Sequence, residues 1–241
     1  ELKPTQFADL IAMNALYRPG PIKYIPNFIN RKNKLEETVY DLKETEEFLA
    51  ETYGITVYQE QVMLLSQKLA NFTKGEADTL RKAMGKKDRA TLDKMYPKFM
   101  EEGEKNNLAV DKLNKIWKDW EAFAEYAFNK SHSTCYALIA YQTAYLKANY
   151  PAEYMASVMT NNLNNTKQIT MFMEDCKSIG VDVLGPSVNE SQYEFSVNEK
   201  GQIRFGLGAI KAIGEGPSEA IVNARKVEKF KNIYDLFEKI R

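Results

Sequence analysis

The sequence predicts a mainly α-helical protein with a small β-hairpin in its last third. Apolar residues recur at helical spacing in a series of segments, which favours amphipathic helices. Apolar and polar residues instead alternate in YEFSVNEKGQIRFGLG (193–208), which predicts two strands joined around 198–201. Because 44% of the 241 residues are hydrophobic, the chain can form the core of one large domain or two small ones.

The predicted elements are separated by turn-forming residues. Residues 5–16 form the first helix, and YRPGP (17–21) ends it because a residue before proline is forced into an extended conformation. A brief strand is expected at 55–58, where β-branched residues alternate with others. Further helices are predicted at 44–50, 59–72, 75–84, 90–105, 111–126, 134–149, 154–163, 166–179, 217–225 and 232–240.

We predict two parts, a helical domain over 1–163 and a small α/β segment over 164–241. Within the first part, Trp117, Trp120 and Phe123 recur at three-residue intervals on one helix face. Such spacing is typical of a buried face, so we expect these rings in the core and not on a base-stacking surface.

The turn YRPGP carries a basic residue between two structural ones. Pro19 and Gly20 suit the central positions of a type II turn. A rigid turn of this kind can place the Arg18 guanidinium on a ligand, and the alternative is a loop that simply ends a helix.

The stretch EYAFNKSHSTCYALIAYQTAYLKANY (125–150) is the most distinctive in the chain. It contains the only histidine, His132, and a long helix-compatible run that Pro151 ends. Ser131 or Ser133 can cap this helix. Since the run is apolar on nearly all sides, we expect a buried helix. Its N-terminus, next to Lys130 and His132, is either a phosphate site or the ordinary start of a capped core helix.

Charge is unevenly distributed although the formal net charge is zero. Residues 36–60 carry eight acidic residues and one basic residue, and 81–100 carry seven basic and two acidic ones. In LRKAMGKKDR (80–89) only Asp88 offsets several cations, which predicts either a phosphate-binding surface or a solvated basic face. A neutral total built from opposite patches is compatible with docking on a phosphate backbone through one face.

Composition excludes several other classes of protein. Two cysteines, Cys135 and Cys176, and one histidine cannot supply a typical four-ligand zinc site. Reduced thiols in a cytoplasm are the default for such a chain. Neither a signal peptide nor an apolar run of about eighteen residues is present, so we expect no membrane association.

Five stretches taken together resemble one family. AFNKSHSTCYALIAYQTAYLKANYPAEYMA (127–156) is similar to the fingers domain of the catalytic alpha subunits of bacterial DNA polymerase III, the family C replicative polymerases. The other four fall in that family's order and spacing. They are ALYRPGP (15–21), YGITVYQEQVM (53–63), LRKAMGKK (80–87) and FGLGAIKAIGEGP (205–217).

The resemblance implies that this chain binds the incoming deoxynucleoside triphosphate. In the family, the 80–87 stretch faces the triphosphate, and Lys130 is a further contact. Lys82 stands where the family often has a second arginine. Tyr126 is expected to stack on the base or sugar, and His132 with Ser131 to lie close to the ribose as a steric wall. The predicted nucleotide-binding residues are Arg18, Arg81, Lys82, Tyr126, Lys130, Ser131 and His132.

The stretch 205–217 resembles a helix-hairpin-helix element, in which glycines let backbones approach and free amides at a helix start can bind a DNA phosphate. Pro217 suits the first turn of the following helix. We expect template–primer DNA to contact this element and the basic stretch before Asp88. The predicted DNA-binding residues are Lys86, Lys87, Gly208, Lys211, Gly214 and Gly216.

The resemblance also implies what the chain lacks. Nucleotidyl transfer in the family uses Mg²⁺ held by aspartates of a palm domain that precedes this segment, and nothing here resembles their motif. We therefore expect no catalytic or metal-binding residue in the chain, no activity from the chain alone, and contacts with a sliding clamp and other replisome subunits through other parts of the subunit. A non-enzymatic helical DNA-binding module is the alternative, and a protein-interaction scaffold is a third.

Overall fold

The computed structural model describes residues 2–123 and 127–240, and it divides into two compact units, Glu1–Ile139 and Ala140–Arg241. The mainly α-helical fold is confirmed, and so is the small β element in the last third. The division of domains after residue 163 stays a prediction. The helices of the first unit are α1 (Phe7–Leu16), α2 (Ile25–Lys32), α3 (Glu46–Leu49), α4 (Gln59–Ala70), α5 (Lys74–Lys86), α6 (Arg89–Lys105), α7 (Val110–Phe123) and the first half of α8 (Lys130–Asn149).

The larger core of the first unit lies among α4, α5, α6 and α7. The rings of Trp117 and Trp120 are 2% and 1% exposed, which confirms the predicted aromatic core face. Phe99 of α6 lies between them, with ring centroids 5.1 Å from Trp117 and 5.2 Å from Trp120. The side chain of Phe123 lies outside the part of the chain that the structure describes.

A second core of the first unit joins α1 and α2 to the 55–58 segment and to Ala137 of α8. The predicted strand at 55–58 is reduced to a single parallel bridge between Tyr58 and Phe128. Helix α2 was not predicted, although Ile25, Phe28 and Ile29 recur there at helical spacing.

The expectation that α8 is buried is wrong. Its large apolar side chains are mostly exposed, and the residues buried on it are the small Ser133 and Ala137. These two lie one turn apart, so they form a narrow stripe that a neighbouring element can approach closely. Because only this stripe faces the core of the unit, the apolar residues on the other sides of α8 stay exposed. The exposed residues on α8 include Tyr136, Leu138, Ile139, Tyr141, Tyr145 and Leu146.

The end of α5 and the start of α8 also differ from the predictions. Helix α5 continues through Gly85 and stops at Lys87, whose φ of 57° is left-handed. Helix α8 begins at Lys130, before both predicted serine caps, because Asn129 Oδ1 accepts from the His132 amide at 2.8 Å.

The second unit contains the rest of α8, four further helices and a three-stranded sheet in its described residues. Strand β3 pairs in parallel with β1 and antiparallel with β2. The predicted hairpin is confirmed, with Gly201 at a left-handed φ of 74° in its turn. The elements are α9 (Pro151–Thr160), α10 (Thr166–Ser178), β1 (Val183–Leu184), β2 (Ser196–Val197), β3 (Ile203–Arg204), α11 (Glu215–Val227) and α12 (Ile233–Lys239).

The described residues offer neither a membrane-spanning helix nor a metal-binding cluster. None of the helices there is long and apolar enough to cross a membrane. Within 2–123 and 127–240, the His, Cys, Asp and Glu side chains form no group of three or more that could hold a metal ion.

Candidate functional site

Residues 127–130 form the centre of the candidate site in the first unit. The Phe128 amide donates to the Val57 carbonyl at 3.3 Å, and the Gln59 amide donates to the Phe128 carbonyl at 3.0 Å. The Gln59 side chain adds a bond from Nε2 to the Ala127 carbonyl at 3.2 Å. These bonds fix the segment before α8 against the start of α4, although about 70 residues separate them in the chain.

Arg18 reaches this segment from the turn after α1. Its guanidinium carbon lies 4.4 Å from the centre of the Phe128 ring, a cation–π contact. Gly20 has a positive φ of 95°, which favours glycine, but its ψ of −72° departs from the value near 0° of the predicted type II turn, and the Ile22 amide donates to the Arg18 carbonyl at 3.1 Å instead. Arg18 Nη1 is buried and has no hydrogen-bond partner among the described residues. The turn therefore holds the Arg18 guanidinium beside Phe128, with its Nη1 not hydrogen-bonded within the described residues.

Arg81 approaches the same segment from α5. It lines a small cavity with Gln59 of α4 and Ala127, so three separate stretches of sequence meet there. The Arg81 guanidinium donates to Asp78 Oδ1 through Nε at 3.0 Å and Nη2 at 2.8 Å. Lys82 Nζ lies 2.7 Å from Asp78 Oδ2. Hydrogen bonds from Lys82 and then Arg81 lower the pKa of the Asp78 carboxyl.

Two glutamates surround Lys130. Its ammonium donates to both carboxylate oxygens of Glu51, at 2.6 and 2.8 Å, and lies 5.4 Å from the centre of the Tyr58 ring. Its backbone amide donates to Glu60 Oε2 at 2.9 Å, and Glu60 Oε1 accepts from Asn129 Nδ2 at 2.8 Å. Burial, then the charges of Glu51 and Glu60, raise the pKa of the Tyr58 phenol.

These bonds change the expectation for the start of α8. The helix N-terminus was expected to present free amides, but a glutamate and an asparagine of the protein already accept from two of them. An anion at this position therefore meets the side chains of the first turn before it meets the backbone.

His132 is exposed and lies in a row of rings that begins just before α8 and continues along it. Its ring centroid is 5.2 Å from that of Phe128 and 4.6 Å from that of Tyr136, one turn to either side. Ser131 is exposed next to it. This row continues from Arg18, so the guanidinium, Phe128 and His132 lie in sequence along one edge of the site.

Not every predicted nucleotide residue can be placed. Tyr126 lies outside the described residues. Arg18, Arg81 and Lys130 each contact, or share a cavity with, residues of the 57–60 and 127–130 segments. Lys82 points from the same helix as Arg81 toward the shared Asp78.

The predicted DNA-binding lysines of α5 lie at the end of that helix. Lys86 occupies its last position, Lys87 follows in the left-handed conformation, and both are exposed. They are one to two turns from Arg81, so a basic surface continues from the candidate site along α5.

In the second unit, the stretch 205–217 forms a tight turn before α11. The Ile213 amide donates to the Ile210 carbonyl at 3.0 Å, and Ala212 takes the left-handed φ of 70° that a type II turn needs at that position. Lys211 stands exposed at the tip of this turn. Pro217 lies in the first turn of α11, as predicted.

The glycines of this stretch fall into two pairs. A Cβ on Gly206 would lie 2.7 Å from the Tyr193 carbonyl oxygen, and one on Gly208 would lie 2.5 Å from the Tyr193 ring, so packing explains both. At Gly214 and Gly216 an added Cβ meets nothing within 4 Å. The first pair therefore lets the backbone pack closely, and the second leaves an open surface at the start of α11.

Sequence reasoning missed the residues that hold the site together. Asp78 could have been found, because it lies three and four positions before Arg81 and Lys82 on a predicted helix. Asn129, three positions before the His132 amide that it caps, gave a similar signal. The contacts of Glu51 with Lys130 and of Phe128 with Arg18 join residues far apart in the sequence, and no local pattern indicates them.

Comparison with protein families identifies the class of protein to which the chain corresponds. Residues 1–107 match the family described as the bacterial DNA polymerase III alpha subunit finger domain, and residues 180–241 match the helix-hairpin-helix motif. A polymerase finger domain followed by a helix-hairpin-helix element is therefore the class to which the two parts of the sequence correspond.

Similar proteins then give the family. The chain is 46% identical to DNA polymerase III subunit alpha of Escherichia coli (strain K12) over 98% of its length, and 45% identical to that of Aquifex aeolicus over 100%. The subunit of Haemophilus influenzae is 46% identical over 99% of the chain. In each case the chain spans 21% of the relative's length. The chain belongs to the bacterial DNA polymerase III alpha subunit family and corresponds to its finger and helix-hairpin-helix region.

Proposed function

We propose that this chain is the fingers part of a replicative DNA polymerase and that its first unit binds the triphosphate of the incoming deoxynucleotide. The observation that carries the proposal is the convergence of Arg18, Arg81 and Lys130 on the residues around 127–130. These cations come from three separate elements, and each rests on a fixed backbone. A triphosphate presents several anionic oxygens, which several cations at one place can contact together.

The two kinds of cation have different uses in such a site. The guanidinium of Arg81 offers a planar fork that fits two phosphate oxygens, and the ammonium groups of Lys130 and Lys82 act as point charges. Pre-positioned cations of this kind stabilise a developing negative charge without reorganisation during phosphoryl or nucleotidyl transfer. His132 and Ser131 then lie near the sugar, with Tyr126 as the stacking surface.

We propose that the second unit holds the duplex through its phosphate backbone. Lys211 at the turn tip and the open surface at Gly214 and Gly216 support this, because the first amides of a helix lack intrahelical partners. Such contacts carry no sequence information. Lys86 and Lys87 are the proposed backbone contacts on α5, and Gly208 the packing residue that shapes the turn.

We assign DNA-directed DNA polymerase activity to the full-length subunit and not to this chain alone. Two-metal nucleotidyl transfer needs carboxylates that hold Mg²⁺, and nothing in the sequence resembles the family's aspartate motif. We therefore place the Mg²⁺ ligands, and the contacts with a sliding clamp and other replisome subunits, in other parts of the subunit. A cytoplasmic location goes with this function.

The alternative function, a helical module that binds DNA without catalysis, makes a different prediction about ligands. Equilibrium titration of the chain with a labelled deoxynucleoside triphosphate and, separately, with a hairpin duplex distinguishes the two. If the chain is the fingers part of a polymerase, both ligands should bind. Arg81→Ala should weaken the binding of the nucleotide, and Lys105→Ala should leave it unchanged. Binding of duplex alone supports the module, and binding of neither supports a protein-interaction scaffold.

Lys105 is a suitable control because it lies away from the site. It is an exposed lysine paired with Glu101 and Glu102 at 2.8 Å each. Glu102 also accepts from Asn71, which follows the last residue of α4, whereas the candidate site lies at the first residue of that helix. A helix of twelve residues separates the two ends by roughly 18 Å.

A further inference from the structure

We propose that Glu51 and Asp78 are built-in competitors of the nucleotide: their carboxylates pair with the cations of the site and are displaced by the triphosphate. This inference rests on the proposed function, since it assumes that Lys130, Arg81 and Lys82 bind phosphates. It goes beyond that function because it assigns a role to two acidic residues that set the affinity and selectivity of the site.

Glu51 occupies most of the hydrogen-bonding capacity of Lys130. Both carboxylate oxygens accept from the ammonium, which has three donors. The pair is accessible from solvent, because the side chain of Lys130 is 36% exposed and that of Glu51 is 38% exposed. A phosphate approaching Lys130 therefore meets a neutralised cation and a like-charged carboxylate next to it.

The backbone beneath Glu51 is firmly held. Gln61 Oε1 accepts from the Val57 and Tyr58 amides at 2.7 and 2.9 Å, while its Nε2 donates to Thr52 Oγ1 at 2.9 Å. Gln61 thereby fastens the turn that carries Glu51 to the start of α4. Exchange of the carboxylate for a phosphate then requires only side-chain rotation, which is fast for exposed residues.

Asp78 performs the same role on α5 for two cations. One of its oxygens accepts from Arg81 and the other from Lys82. The side chain of Lys82 is 61% exposed, and those of Arg81 and Asp78 are 32% and 36% exposed. Two carboxylates thus pair with three cations of the candidate site, Arg81, Lys82 and Lys130.

This arrangement favours a triphosphate over smaller anions. When a carboxylate is displaced from a cation, a hydrogen-bonded ion pair is lost, and the bonds of the ligand to that cation must offset the loss. A triphosphate presents several anionic oxygens, so it can replace the ion pairs of more than one cation of the site. A single phosphate displaces one pair and gains little, so the two acidic residues lower the occupancy of the site by lone phosphate more than by nucleotide.

The test uses the full-length polymerase subunit on a primed template with Mg²⁺. Single-turnover incorporation of dATP, measured against dATP concentration, gives the apparent Kd for the nucleotide. We expect Glu51→Gln, which keeps the shape and removes the charge, to lower this Kd by about two- to five-fold. This is the change expected from exposed ion pairs of up to about 1 kcal/mol, where tenfold is about 1.4 kcal/mol.

Three further variants make the result specific. Glu101→Gln removes the charge of a carboxylate that pairs with Lys105 at 2.8 Å, near the far end of α4, and should leave the Kd unchanged. Asp78→Asn should tighten binding as Glu51→Gln does. In the double variant Glu51→Gln, Lys130→Ala, the tightening should disappear, because Glu51 acts through Lys130.

The outcomes separate this inference from the proposed function. Lys130→Ala should raise the Kd by about ten-fold or more, the loss expected for a charge-assisted hydrogen bond. If Lys130→Ala has no effect, the proposed triphosphate site is wrong. If Lys130→Ala weakens binding but Glu51→Gln leaves the Kd unchanged or raises it, the site stands and the competitor role is overturned.

Discussion

At the scale of single residues, the proposed role of His132 beside the sugar of the nucleotide depends on how its ring is held. Its ring is exposed but lies between the rings of Phe128 and Tyr136, which restrict its rotation. A ring held in this way can act as a wall, because a wall needs a fixed position and no proton transfer. The lone histidine is therefore interpreted as a steric element and not as a general base.

In the full-length subunit, His132→Ala should relax discrimination against ribonucleotides and reduce deoxynucleotide incorporation only modestly. The reason is that removal of the ring opens space beside the 2′ position while the cations remain. Single-nucleotide incorporation of matched deoxy- and ribonucleotides measures both effects. If the variant loses deoxynucleotide incorporation while its sugar preference is unchanged, His132 is a phosphate contact or a structural residue.

At the scale of elements, α6 and α7 pack so closely that one glycine is required. Gly103 of α6 is buried, and a Cβ there would lie 2.5 Å from Cδ1 of the fully buried Leu113. Gly103→Ala should lower the free energy of unfolding by about 1–2 kcal/mol, because overpacking outweighs the gain of about 1 kcal/mol in helix propensity. Urea denaturation of the chain measures this change.

Gly75 provides the matched control for that prediction. It lies in the first turn of α5, and an added Cβ meets nothing within 4 Å. Gly75→Ala should therefore leave the free energy of unfolding unchanged or raise it by up to about 1 kcal/mol. A Gly103→Ala variant as stable as Gly75→Ala would show that α6 and α7 have room for the methyl group.

The start of α5 should make unfolding depend on pH. Glu76 accepts from Lys98 and, within its capping box, from the Thr73 amide at 2.9 Å and hydroxyl at 3.0 Å, which lower its pKa to about 2. A lowered pKa means stabilisation that is present above the usual value of 4.5 and is lost as pH falls from there toward 2. Because the side chain of Glu76 is 35% exposed, solvent screening reduces the effect.

Urea denaturation at a series of pH values between about 5 and 2 tests this assignment. Glu76→Gln should flatten the loss of stability with falling pH. Glu199→Gln, which removes a carboxylate from the exposed hairpin turn of the second unit, should not. If the free energy of unfolding falls equally steeply with falling pH in the wild-type chain and in Glu76→Gln, the lowered pKa of Glu76 is contradicted.

The elements also show what local sequence can and cannot predict. Most helices were found, because spacing and caps are local signals, and the turn at 198–201 was found because alternating runs flank a glycine there. Helix α8 was expected to be buried because its residues are apolar, but burial depends on which neighbours are present. The candidate site was predictable as a set of cations and not as a geometry, since Glu51 and Phe128 make contacts over long sequence distances.

At the scale of the whole molecule, the proposed duplex contact should show in the salt dependence of binding. Neutralising a phosphate on DNA contributes about 0.9 to the slope of log affinity against log salt. Lys211→Ala should lower this slope by about 0.9 if its ammonium contacts a phosphate. Lys200→Ala, in the exposed hairpin turn of the same unit, should leave the slope unchanged. A preference for one duplex sequence would contradict backbone contact.

The central claim is that one place in the first unit holds the triphosphate, and NMR titration of the isotope-labelled chain with dATP tests it most directly. Amide signals of residues 81–86 and 127–132 should move together as nucleotide is added, and those of residues 101–105 should not. The method detects binding even at a Kd of about 1 mM. If no signal moves at about 10 mM dATP, or if the changes are confined to residues 205–217, the triphosphate does not bind at the candidate site of the first unit.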